Sequence, residues 1–163
     1  MFGAKIVRCA KSEVPDEVEK LKKKLAAEGK KCHYVHDERS ETVQASAYID
    51  DYKEIYDYQN ESGIKFDYIF SASGAGTTQA GLILGKLLHP DFKKEGCNHP
   101  TIVGISTARA YERGVMKLSE HIHNYYRFFR NDTPNESDIK EQINLASQYV
   151  CGGYGLYDDE ITS

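Results

Sequence analysis

Between Phe66 and Leu88 the sequence FDYIFSASGAGTTQAGLILGKLL reads as a strand, a tight glycine turn and a helix. Phe66 to Ala72 is rich in aromatic residues around Ile69, which suits a buried strand, and Leu84, Leu87 and Leu88 fall near one face of a helix over Ala80 to Leu88. The connection is Ser73-Gly74-Ala75-Gly76-Thr77-Thr78-Gln79. Two glycines let the backbone turn sharply and approach a ligand without a Cβ in the way, and three hydroxyls stand where the helix begins. A helix N-terminus has orphan N–H donors and the positive end of a dipole, so it binds a phosphate or carboxylate without needing a lysine.

The common phosphate motifs do not describe this turn. A Walker A loop requires Lys-Ser/Thr directly after its second glycine, whereas Gly76 is followed by Thr77-Thr78 and Gly81 by Leu82-Ile83. The dinucleotide fingerprint requires a third glycine where Gln79 stands, and the following strand, Thr101 to Ser106, ends without an acid to hold a ribose. The competing structural reading is a glycine turn before an ordinary threonine-capped helix. Strand, glycines, hydroxyls and helix in this order favour anion binding at Ser73, Gly74, Ala75, Gly76, Thr77 and Thr78.

The alternation of elements on either side predicts the fold class. Ala4 to Cys9 reads as an early strand, and Ser12 and Pro15 open a helix with Val18, Leu21 and Leu25 on one face and Lys20, Lys22, Lys23 and Lys24 in solvent, ended by Gly29. Cys32 to Val35 reads as a short strand, His36 to Ser40 as a polar loop, and Thr42 to Asn60 as a helix stopped by Ser62-Gly63. Tyr48, Tyr52 and Tyr56 recur at four-residue spacing in that helix, a packing pattern. After the central strand, turn and helix come the polar connection Pro90 to Pro100 and the strand TIVGIS. Strands alternating with helices predict parallel βαβ units, an open, mostly parallel sheet with helices on both faces, and ligands at the carboxyl ends of the strands. Phe66 to Ala72 is expected as the central strand. The chain continues with a long helix over Ala110 to Phe129, a break at Asn131 to Asn135, a helix over Asp138 to Ala146 and a final strand over Gln148 to Cys151.

Composition narrows the function. The 163 residues suffice for one α/β domain with a core, and the 40% hydrophobic content is ordinary for a soluble protein. A net charge of -4 argues against nucleic acid or an anionic membrane as partner. No apolar run is long enough to cross a bilayer, and MFGAKIVRCAKSE lacks the apolar core of a signal peptide, so the cytoplasm is the expected compartment. Cys9, Cys32, Cys97 and Cys151 are far apart with no C-x-x-C pair, and are expected reduced and mostly buried. His121 and His123 are two residues apart and point in different directions on a helix, a poor metal pair. Arg127 and Arg130 lie among aromatics but belong to no wider basic face. In Gly152-Gly153-Tyr154-Gly155, three glycines around one tyrosine suit a turn or a backbone opened so that an aromatic faces a ligand.

Three segments in order, KFDYIFSASGAGTTQAGLILGKLL, TIVGISTAR and GGYGLYDDEIT, resemble the fold-type II pyridoxal-phosphate enzymes, in the branch of D-cysteine desulfhydrase and 1-aminocyclopropane-1-carboxylate deaminase. The start, MFGAKIVRC, is similar to the family segment where a Gly-Ala pair precedes a strand. The resemblance implies the large-domain part of a tryptophan synthase β-like fold, with Ser73, Gly74, Ala75, Gly76, Thr77 and Thr78 around the phosphate of pyridoxal 5'-phosphate and Tyr154 near its ring and the substrate. It further implies a small amino acid as substrate, lyase or deaminase chemistry, and a homo-oligomer or complementary polypeptide as partner.

The chain departs from that family in three places. No Gly-Asn-Lys segment with a Schiff-base lysine is present, and neither Lys65, before the strand, nor Lys86, on the helix after it, matches the position. HDERSETVQASAY has no glycine where the family has a glycine-rich loop, and the family continues well past the Gly-Tyr-Gly turn. The expected arrangement is a partial lobe of a larger two-domain enzyme, with the catalytic lysine outside this chain. The alternative is a phosphate-binding or structural α/β module without catalysis.

Overall fold

The computed structural model describes residues 3–151 and Leu156. Its contacts divide the chain into two units, Met1–Val35 and His36–Ser163. In the first, a 3-10 turn at Lys11–Glu13 leads into α1, Val14–Ala27, with proline in the first turn, where its missing N–H costs no hydrogen bond. The Glu28 N–H donates to the Lys24 carbonyl, and Gly29 follows at φ 71 as expected of a helix stop. Lys20 and Lys22 pair with Glu17 and Glu19 on the surface. Residues 4–10 form no strand, and neither do residues 32–35. Both expectations are corrected, because β-propensity reports fit to a pleated, paired surface and neither segment joins a sheet.

The second unit is α/β. It contains α2 (Glu38–Ser62), β1 (Tyr68–Ser73), α3 (Thr77–Leu88), β2 (Thr101–Ser106), α4 (Tyr111–Phe129), α5 (Glu136–Gln142) and β3 (Asn144–Ala146). The three strands are parallel in the order β1-β2-β3, with Tyr68 opposite Thr101, Ser73 opposite Ser106 and Gly104 opposite Leu145. An open parallel sheet flanked by helices is what the alternation of elements predicts, although helices are expected on both of its faces. Sequence order equals spatial order, so both crossovers step in the same direction. With the usual handedness their helices then gather on one face. That face carries the buried Ile102, Gly104 and Leu145, while Tyr68 and Phe70 on the alternate face are 58% and 66% exposed.

Several boundaries differ from the sequence reading. Segment Phe66 to Ala72 supplies an edge strand rather than the central one, since β2 lies in the middle and the two earlier strands are absent from the sheet. Residues 38–40, read as loop, open α2, because the Asp37 carboxylate accepts from the Ser40 N–H at 2.7 Å and supplies the cap. The expected helix through Ala146 stops at Gln142, capped at its start by Asn135, and the last strand is Asn144–Ala146 rather than Gln148 to Cys151. Cys9 and Cys32 are exposed and Cys97 and Cys151 half-buried, against the expectation of burial.

The core is built on the crossing of α2 and α3. Tyr52 and Tyr56 are buried there, as their spacing predicts, with Ile83, Leu84, Ile102, Leu118, Ile122 and Ile139. The helices approach so closely that a Cβ on Gly81 would lie 2.0 Å from the Ala45 carbonyl oxygen, and one on Gly85 would lie 2.5 Å from the Tyr52 Cβ. Beyond the crossing, the Tyr52 hydroxyl meets His99 Nδ1 at 2.8 Å, Tyr56 stacks on His99, and Lys86 Nζ donates to the Pro100 carbonyl at 3.0 Å. These contacts fasten α2 and the C-terminal end of α3 to the segment that leads into β2.

Alanine in place of glycine inside an exposed helix stabilises by about 1 kcal/mol. At Gly81 the sign reverses, because the added methyl meets backbone and overpacking costs about 1–3 kcal/mol or more. Gly81→Ala therefore lowers stability by about 2 kcal/mol in urea unfolding. A stabilised variant would show that the two helices do not sit this close.

Candidate functional site

The loop at the carboxyl end of β1 is positioned from both sides. Ser73 is buried, and its carbonyl accepts from the Thr107 N–H at 3.3 Å, so the β1 and β2 loops run side by side. A Cβ on Gly74 would come within 3.1 Å of Thr107 Oγ1, leaving no room for a larger residue without displacing that hydroxyl. Ser106 closes its own loop, donating through Oγ to the Arg109 carbonyl at 2.8 Å and accepting from the Arg109 N–H at 3.2 Å. Ala75 is the exposed tip.

Gly76 is the N-cap of α3, at φ 90, a conformation that only glycine adopts cheaply. No side chain caps the helix; the hydroxyls of Ser73, Thr77 and Thr78 make no such bond. The first main-chain bond of the helix runs from the Ala80 N–H to the Gly76 carbonyl at 2.9 Å. Helix geometry accordingly leaves the N–H groups of Gly76, Thr77, Thr78 and Gln79 without intrahelical acceptors. The residues expected as a phosphate cradle, Ser73 to Thr78, are thus contiguous around one helix start, whereas Tyr154 lies outside the described residues.

Two residues that sequence reasoning did not assign to this site support it. Gln79 is fully buried and lies over β2, where a Cβ on Gly104 would fall 1.8 Å from its Oε1; its Nε2 donates to the Asn144 carbonyl at 2.7 Å. The start of α3 is thereby pinned to β3. His121, on α4, is 1% exposed, and its Nε2 lies 3.1 Å from the Ala75 carbonyl oxygen, a link across 46 residues. Leu118, one turn earlier on α4, fills the space beneath Gly76. Neither link leaves a sequence signal, since nothing in helix or strand periodicity pairs Gln79 with Asn144 or His121 with Ala75.

Lys117, on the helix beneath the loop, is already engaged. Lys117 pairs with Glu41 at 3.3 Å and Glu120 at 2.9 Å. Lys65 is exposed ahead of β1. Lys86 is buried and bonded to Pro100, about 14 Å along α3 from the loop at the usual helical rise. Burial holds its pKa below the ordinary lysine value. His123 bonds Glu136 at 2.6 Å, on a different side of α4 from His121. Among the described residues no three His, Cys, Asp or Glu side chains come together as a metal site, and no helix is long and apolar enough to cross a membrane.

Burial pushes the pKa values of His99 and His121 below the ordinary imidazole value. A depressed histidine pKa contributes stability that is fully present above the unfolded value of about 6.5 and is lost as pH falls below it towards the folded value. His123 acts oppositely, its pKa raised by its bond to Glu136, but that pair is largely solvated. The urea midpoint is therefore expected to fall between pH 7.5 and 5.5, and to fall less in a His99→Asn, His121→Gln double variant. An identical slope in both proteins would remove these two histidines as the cause.

No model of a known protein family matches the chain, and no curated protein matches it.

Proposed function

We propose that the loop from Ser73 to Thr78 binds a phosphate group, and that this chain is the cofactor-phosphate-binding lobe of a pyridoxal-phosphate-dependent lyase or deaminase acting on a small amino acid. The observation that carries the reading is the start of α3: a helix of 12 residues opens directly from a β-strand on a glycine at φ 90 with no side-chain cap. A phosphate monoester supplies the acceptors that such a helix start lacks, and the dipole favours its negative charge. The missing Cβ of Gly74 lets the loop lie against Thr107, which holds it in place.

When bound, pyridoxal phosphate supplies an electron sink for the carbanion formed at the amino acid's α-carbon. The residues of this chain contribute binding and orientation. Main-chain N–H groups of Gly76, Thr77 and Thr78 hold the phosphate, Gln79 fixes the helix that carries them, and Gly74 brings the backbone close. The residues fit the phosphate and not the amine chemistry. Lys86 faces Pro100 at the other end of its helix and Lys65 stands ahead of β1, which supports a reading in which the reactive lysine comes from outside this chain. The second reading, a phosphate-ligand module without catalysis, is favoured by this same separation of lysines from loop.

Two experiments test what both readings share, the loop as the phosphate site and the lack of a reactive lysine in this chain. Gly76→Val places a β-branched side chain at φ 90 and a Cβ against Leu118, and is expected to abolish binding of inorganic phosphate and pyridoxal phosphate in isothermal titration while the chain stays folded by circular dichroism. Unchanged affinity would rule out the loop as the site. Borohydride reduction in the presence of pyridoxal phosphate, followed by peptide mapping, is expected to give scattered low-level labelling of surface lysines. One lysine labelled to completion, with turnover of a small amino acid, would instead show a self-sufficient enzyme.

A further inference from the structure

His121 stands under the loop with a geometry that packing alone does not require. Its ring is 1% exposed, with Nε2 3.1 Å from the Ala75 carbonyl oxygen and Cδ2 3.6 Å from where a Gly76 Cβ would stand. A carbonyl only accepts, so Nε2 carries the proton and Nδ1 the lone pair. That Nδ1 is buried and has no partner in the protein. A leucine would fill the same space without leaving a buried polar atom unsatisfied, a feature that costs free energy. The imidazole must therefore contribute something that an apolar side chain does not.

The contribution follows from peptide geometry. The peptide joining Ala75 to Gly76 is trans and planar, so its N–H points opposite to its carbonyl. Tying the Ala75 carbonyl down to α4 turns the Gly76 N–H the other way, away from His121. We propose that His121, as the neutral Nε2–H tautomer, is the positioning residue of the anion cradle, fixing the Ala75–Gly76 peptide so that the Gly76 N–H faces the bound phosphate. This rests on the phosphate reading of the loop. His121 touches no ligand itself and acts through that peptide. The ionisable groups around the ring are Lys117 and Glu120 from α4 and Glu41 from α2, in which the lysine bridges the two carboxylates. Burial disfavours the imidazolium form.

The test uses the full chain, labelled with nitrogen-15, and two variants. His121→Gln retains an N–H donor near the position of Nε2, and His121→Leu retains bulk without a donor. In titrations with inorganic phosphate followed at the amides of residues 74–78, His121→Leu is expected to weaken binding about tenfold, the scale of one charge-assisted hydrogen bond. His121→Gln is expected to restore affinity to within about threefold, since it keeps the single bond at issue. Equal affinity for wild type and His121→Leu, or equal weakening in both variants, would overturn the proposal. Failure of the phosphate reading looks different: the wild-type amides would not respond to phosphate at all. The positioning role is then still decided by the Gly76 amide, which shifts in His121→Leu and returns in His121→Gln if His121 sets that peptide, and is alike in all three proteins if it does not. Wild-type imidazole nitrogen shifts decide the tautomer without any variant, and a proton on Nδ1 in place of Nε2 would overturn the proposal.

Discussion

The near-contact of α2 and α3 at Gly81 and Gly85 is the constraint on which the rest of this structure depends. With no Cβ at these positions, α3 settles against the Ala45 carbonyl and the Tyr52 side chain and becomes the buried middle layer between α2 and the sheet. A helix hydrophobic nearly all round is stable in water only in such a place. Residues 79–86 of α3 are all buried, including Gln79 and Lys86, and each of these polar side chains finds a carbonyl on the sheet side, Asn144 and Pro100 respectively. Both ends of the helix are thus tied to the strands by hydrogen bonds, while its middle is held by packing.

That placement fixes the loop from which α3 starts. The loop from Ser73 to Gly76 cannot relax away from β2 and α4, because Thr107, Leu118 and His121 meet it on their sides. Donors held by a rigid frame bind an anion with little further loss of chain entropy. Lys86 is separated from the loop by the length of the helix that defines it.

Much of this was legible in the chain. The order strand, glycine turn, helix between Phe66 and Leu88 marks the loop, the alternation of elements marks a parallel α/β sheet, and the four-residue spacing of Tyr48, Tyr52 and Tyr56 marks the buried face of α2. These signals are local: they depend on turn chemistry and on periodicities of two and 3.6 residues, which neighbouring residues carry by themselves. Where the reading failed it asked a local pattern to report a distant partner. Ala4 to Cys9 and Cys32 to Val35 have strand composition, yet composition does not provide a neighbouring strand, and their absence leaves β1 at the sheet edge with Phe70 exposed.

By itself, then, the sequence determined the class of fold, the place of the glycine loop and the absence of a lysine within it, because each follows from residues adjacent in the chain. Only the tertiary structure decided what holds the loop in shape. Gln79 looked like a defect in a dinucleotide motif and proved to be the anchor of α3 on β3; His121 looked like half of a poor metal pair and proved to hold the Ala75 carbonyl. The physical reason is sequence separation: these bonds join residues 65 and 46 positions apart, and what brings them together is the packing of α3 and α4 on the sheet, which no stretch of either helix specifies alone.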